Sequence, residues 1–215
     1  MARFAQMERH ALADLFLAVG PDAPTVNVGW TTRDLAAHLI VREQRPDAAA
    51  GIWLPLLRGY SERVRLELAA RSFPDLVRMV RQPPAWSPVS NRITDEVVNL
   101  MEFFIHHEDV RRAQPDWQTR DLPPGEQAAL WKRVSALTKL RLRRFPGTVT
   151  VVADGYGDVA TGTGTGTGTG GDQVSISAPP GELVLFLTGR QRVARVQMDC
   201  AAPVEERLRN ARFGF

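Results

Sequence analysis

Apolar residues recur every three or four positions through the first two thirds of the chain and alternate after Pro146, so the pattern predicts helices followed by a sheet. Residues 2–19 place Phe4, Met7, Ala11, Leu15 and Phe16 on one stripe, and Gly20-Pro21 stops that helix. A second helix starts after Trp30, with Thr31 or Thr32 as its cap and Asp34 in its first turn. It runs through Leu35, Leu39 and Ile40 to about Arg45, where Pro46 kinks or divides it. Residues 61–82 form another helical stretch, interrupted near Phe73-Pro74, and Pro83, Pro84 and Pro88 mark a loop. Helices over 94–112, with Val97, Met101, Phe104 and Ile105 buried, and over 124–144 complete the set. Long helices with short connections imply an antiparallel bundle.

Beyond Pro146, residues 148–153 (TVTVVA) and 174–177 are rich in β-branched side chains, and 182–187 and 193–198 supply two further strands. A closing helix over 203–211 packs back through Val204 and Leu208. The expected organisation is a helical domain over 1–146 and a small α+β domain over 147–215, with the closing helix covering one face of its sheet. Thr161 opens five consecutive Thr-Gly pairs, which read as a flexible loop over 161–171 between two strands, because ordering so many glycines costs backbone entropy.

Composition narrows the functional classes. The net charge of +3 rests almost wholly on arginine, since Lys132 and Lys139 are the only lysines. The basic run from Lys132 to Arg144 does not read as a nucleic-acid surface, because Leu130, Val134, Leu137 and Leu140 recur at helical spacing and leave the cations on a solvated face. The glycines of the Thr-Gly tract do not read as a phosphate loop, since no lysine follows and no helix begins there. No stretch reaches the roughly 18 apolar residues of a membrane span, and the amino terminus is an amphipathic helix and not a secretory leader, so the expected location is cytoplasmic and no membrane partner is expected. Cys200 is the only cysteine, which excludes an internal disulfide and leaves thiol chemistry to this residue or to a substrate.

The residues with chemistry are few. Glu102 and His106 stand one helical turn apart, so their side chains leave the same face and can converge on one ion. The same spacing also describes an ordinary surface ion pair. Their position beside the apolar residues Val98 and Ile105 places them at the bundle edge or inside it, where a carboxylate needs compensation. His38, in the middle of another helix among Leu35, Leu39 and Ile40, reads either as a core histidine bonded to a carbonyl or as the third ligand. Three protein ligands leave a coordination position open, the arrangement of a catalytic site. His107 points about 100° away from His106 and reads as packed or solvent-bonded, Asp109 can orient a ligand from behind, and His10 reads as a satisfied histidine of the first helix.

The run Trp30-Thr31-Thr32-Arg33-Asp34-Leu35-Ala36-Ala37-His38-Leu39, followed by Glu102-Phe103-Phe104-Ile105-His106-His107-Glu108-Asp109-Val110, resembles the ligand motifs of the DinB-like superfamily. It is most similar to the mycothiol-dependent maleylpyruvate isomerases, with a W-T-x-x-D-L-x-x-H-L helix and an E-x-x-x-H-x-x-D helix. The segments VGPDAP, HEDVRR and GELVLFLTGR extend the resemblance along the chain, toward an actinobacterial metal-binding branch with no assigned reaction. The resemblance implies an N-terminal four-helix bundle holding a divalent metal, usually zinc, on His38, Glu102 and His106, and a C-terminal domain similar to sterol carrier proteins. It further implies a transferase or isomerase using a low-molecular-weight thiol of the mycothiol type, an electrophilic or acidic second substrate, and a homodimer. Arg190 is the residue it places in a catalytic role, gripping a substrate carboxylate; the plain reading of Arg190 is a surface charge at a strand end. The alternative to an enzyme is a metal-containing module that binds a small molecule without turnover.

Overall fold

The computed structural model describes residues 4–52, 54–87, 96, 99–163 and 172–213, and they form two compact units that divide between Gln118 and Thr119. The first unit is helical: α1 (Phe4–Val19), α2 (Thr32–Gln44), the single turn α3 (Pro46–Ala49), α4 (Arg58–Ala69), α5 (Phe73–Arg81) and α6 (Leu100–Arg111). The second contains α7 (Pro124–Leu142), β1 (Gly147–Ala153), β2 (Gly157–Gly162), β3 (Asp172–Ser177), α8 (Pro180–Leu187), β4 (Gln197–Asp199) and α9 (Ala202–Arg209). No helix among the described residues is long and apolar enough to cross a membrane.

Local chemistry explains the helix starts in the first unit. Thr31 closes a capping box on α2: its hydroxyl accepts from the Asp34 amide while the Asp34 carboxylate accepts from the Thr31 amide. Pro46 ends α2 by starting a new turn as its first residue. Ser72 caps α5, which separates it from α4 near the expected interruption. The core gathers Leu12 and Phe16 of α1, Leu35, Leu39 and Ile40 of α2, Val64 and Leu68 of α4, Leu76 and Val80 of α5 and Phe103 of α6. Ala36 and Ala37 are fully buried, and their small side chains let neighbouring helices come close to α2.

The buried face of α1 differs from the apolar stripe expected of it. Met7 is exposed, whereas Glu8 and Arg9 are buried with Ala5, Leu12, Ala13 and Phe16. Burial of both charges follows from their partners. The Arg9 guanidinium donates to both oxygens of Glu43 at 2.6 Å, donates to the Val80 carbonyl and stacks over Phe103, while the Glu8 carboxylate meets His107 Nδ1 at 2.8 Å. Val97 and Val98, expected in the helix of Glu102, lie outside the described residues, as does the Thr-Gly tract beyond Thr163.

In the second unit the sheet order is β2-β1-β3-β4, with β1 antiparallel to β2 and parallel to β3, and β4 antiparallel to β3. Val149, Val151 and Ala153 point to the buried side of β1. The domain boundary expected after residue 146 falls earlier because α7 packs on α8, β1 and β2 and lies in the same unit as the sheet. Leu130, Val134, Leu137 and Leu142 are its buried apolar residues; Leu140 is exposed. The segment expected to be a strand over 182–187 is the helix α8. Pro180 opens it, every residue in it is buried, and Gly189 at φ +96° closes it with the Arg190 amide bonded back to the Leu185 carbonyl. A short, wholly apolar run has no period that separates a buried strand from a buried helix. The strand expected over 193–198 is reduced to Gln197–Asp199, since the Val193 and Ala194 amides turn back onto the Arg190 carbonyl.

The Arg9–Glu43 pair generates a stability prediction. Glu43→Ala leaves a guanidinium buried without its carboxylate, and denaturant unfolding should show a loss of about 3–5 kcal/mol; a loss below about 1 kcal/mol would mean that water reaches Arg9.

Candidate metal centre

His38 on α2 and Glu102 and His106 on α6 come together in the first unit, with one donor atom from each lying within 4.8 Å of the others. Each side chain is placed by its helix. His38 follows one turn after the capping box, and its ring packs on Trp30 at 5.2 Å between centroids. Glu102 and His106 lie one turn apart on α6, with Glu102 Oε1 3.2 Å from His106 Nε2 and 3.8 Å from His38 Nε2. The two imidazoles face each other edge to face at 5.5 Å.

Behind His106, Asp109 Oδ2 sits 2.9 Å from Nδ1, and the Asn27 amide donates to the same oxygen at 3.3 Å. Asp109 is fully buried, and its own backbone carbonyl accepts from the Val26 amide. It therefore holds the ring from the side opposite Glu102, leaving Nε2 aimed at the cluster. His107 takes no part: it is buried and bonded to Glu8 of α1. His10 is exposed on α1. Arg190 belongs to the second unit, after a helix and not at a strand end, where its guanidinium donates to the Thr188 carbonyl at 2.8 Å.

Arg42, one turn after His38 on α2, is the contact that sequence reading missed. Its Nε lies 3.3 Å from Glu102 Oε1, and its Nη1 donates to Asn99 at 2.6 Å. The four-residue spacing from His38 to Arg42 carries the signal, since it repeats on α2 the step from Glu102 to His106 on α6.

These neighbours set the charges of the cluster. Burial works against ionising Glu102, but the bonds from His106 and His38 and the charges of His106 and Arg42 outweigh it and hold the carboxyl well below its usual range. Burial likewise opposes protonation of His106, yet its bonds to Asp109 and Glu102, one on each ring nitrogen, win and raise its pKa above 6.5. For His38 burial prevails over the nearby Glu102 and lowers the pKa, with His106 and Arg42 adding to the effect. Without a metal, the arrangement at neutral pH is a neutral His38 beside an ionised Glu102 bridging His106 and Arg42.

The donor set fits a divalent ion. Two imidazole nitrogens and a carboxylate match zinc's preference, and among the described residues the group has three members, short of the four that close a structural site. Bonds of about 2.0–2.2 Å require the three side chains to draw inward, with Arg42 giving up part of its hold on Glu102. Comparison with family models, with curated proteins and with solved structures gives no match to this chain.

A pH dependence follows. Metal uptake must displace a proton from His106 Nε2, because the ring is held from both sides in the form that favours protonation. Below the raised pKa of His106 the apparent affinity should fall by about tenfold per pH unit and level off above it, and in Asp109→Asn the break should move to lower pH. Competition titration with a chromophoric chelator checks this; an affinity flat from about pH 5 to pH 7 would show that His106 is not a ligand.

Proposed function

We propose that the protein is a divalent-metal-dependent transferase or isomerase that uses a low-molecular-weight thiol of the mycothiol type as cosubstrate. In this reading the first unit is a DinB-like bundle, the second a sterol-carrier-like domain, and zinc the resident ion. The observation that carries it is the convergence of His38 and the Glu102–His106 pair from separate helices onto one point, at the residues that the motif resemblance marks as ligands.

Each residue has a role in this reading. His38, Glu102 and His106 hold the ion, Asp109 fixes the His106 ring, and Arg42 steadies the Glu102 carboxylate. A divalent ion there supplies a Lewis-acid position that favours thiolate over thiol near neutral pH. The chain then needs no nucleophilic cysteine of its own. Cys200 suits that role poorly: burial, with Glu205, Asp199 and Asp172 nearby, raises its thiol pKa. A cavity of about 230 Å³ with His38 in its wall gives a small substrate room beside the ligands.

Metal analysis tests the reading. The purified wild type should hold one divalent ion per chain, and His38→Ala and Glu102→Ala should each lose most of it; full occupancy in both variants would remove the assignment. In the cobalt-substituted protein, a low-molecular-weight thiol should add a thiolate-to-cobalt band in the near ultraviolet. A spectrum indifferent to every such thiol would favour the module that binds without turnover.

A further inference from the structure

The second unit holds a larger cavity, of about 730 Å³, within the range of sites that enclose a small molecule. It opens where β1 and β3, the parallel pair of the sheet, come to an end. Asp154 follows β1, Ser177 closes β3, and Pro123, Pro124 and Pro179 bring in the starts of α7 and α8. Ligands of sheets with parallel strands gather at the carboxyl ends of those strands.

The two helix starts are built alike. Each reads Pro-Pro-Gly-Glu, over 123–126 and 179–182, with the first proline as the cap and the second at the first helical position. A helix start ordinarily favours an anion, but here its means are spent. The prolines carry no amide hydrogen. The Gly181 amide donates to Gln127 Oε1, the Glu182 and Leu183 amides donate to the Pro179 carbonyl, and the Glu126 and Gln127 amides donate to the Pro123 carbonyl. Glu126 and Glu182, both buried, set a carboxylate against the positive end of each helix. The helix starts thus offer the cavity proline rings in place of amide donors.

The charged groups of the wall lean the other way. Asp121 and Asp154 line it and make no ion pair or hydrogen bond among the described residues. Arg195 is the one cation among the lining residues, and its backbone amide is tied to Glu182 Oε2 at 2.7 Å. Two carboxylates against one guanidinium leave the lining with one negative charge in excess. Tyr156 adds an aromatic ring, and its hydroxyl donates to the Pro124 carbonyl at 3.4 Å, which sets the ring beside the start of α7. An aromatic face together with carboxylates attracts an ammonium group and gives a neutral polar group no equivalent gain.

We infer that this cavity binds a small organic amine: Asp121 and Asp154 are the counter-charges of its ammonium group, the Tyr156 ring adds a cation–π contact, and the proline rings carry its carbon skeleton. The Gln127 side chain, whose oxygen is held by Gly181, keeps its NH2 group to donate to a polar atom elsewhere on the ligand. The site lies wholly within the second unit and is independent of the metal reading.

Calorimetric titration of 2-phenylethylamine and of 2-phenylethanol, its uncharged counterpart, into the full chain at neutral pH and low salt tests the site. The amine should bind about tenfold more tightly. Asp121→Asn and Asp154→Asn should each cut that preference by roughly threefold and together remove it; both positions are exposed, so the substitutions leave the fold intact. The preference should be the same before and after treatment with a chelator, which separates this cavity from coordination of the amine by a metal. Equal affinity for the two compounds, no heat from the amine up to about 10 mM, a preference that survives the double substitution, or one that vanishes with the chelator would each overturn the site.

Discussion

The candidate metal centre depends on one buried carboxylate, that of Glu43. It sits on α2, accepts two bonds from Arg9 of α1 and a third from the Asn99 amide at the start of α6. Asn99 in turn accepts from Arg42, whose guanidinium reaches Glu102. A continuous polar chain therefore ties α1, α2 and α6 together through the core and ends on a candidate ligand. Charges this far from water persist only where geometry supplies them with partners, so the network constrains the helices to the one arrangement that satisfies it. The meeting of His38 with Glu102 and His106 is a consequence of that constraint.

The same chain of contacts explains why the cluster is poised rather than closed. Glu102 is drawn by three groups, His106, His38 and Arg42, and a metal would compete with two protons and a guanidinium for it. Asp109, engaged by Asn27 and by the His106 ring, stays in place whichever competitor holds Nε2. The site thus combines a rigid back wall with an exchangeable front. That division suits an ion whose open position must accept and release a ligand.

Much of this was legible along the chain because it is local. The Thr31 cap with Asp34, the helix break at Pro46 and the one-turn step from Glu102 to His106 each involve residues no more than a helical turn apart, where propensity and spacing decide the outcome. Convergence of His38 on that pair is a tertiary fact; its helix left it open between a core histidine and a third ligand, and the resemblance to a motif favoured the ligand. The errors arose where long-range partners override local pattern. Glu8 and Arg9 lie outside the apolar stripe expected of α1, yet His107 and Glu43 bury them. The apolar run of α8 has no period to betray a helix, and α7 looked like a bundle helix because nothing in its amphipathic face says whether a helix or a sheet will cover it. β2, with glycine at both ends and little burial, was not foreseen as a strand at all; its pairing with β1 supplies what its own residues lack.

In the proposed function, two imidazoles and one carboxylate of the first unit hold a divalent ion with a position left open. X-ray absorption at the metal edge of the zinc-loaded protein tests it most directly. The expected spectrum shows a low-coordinate shell of nitrogen and oxygen at about 2.0–2.1 Å with the multiple scattering of two imidazoles. A shell containing protein sulfur, or one of oxygen alone with no imidazole signature, would contradict it.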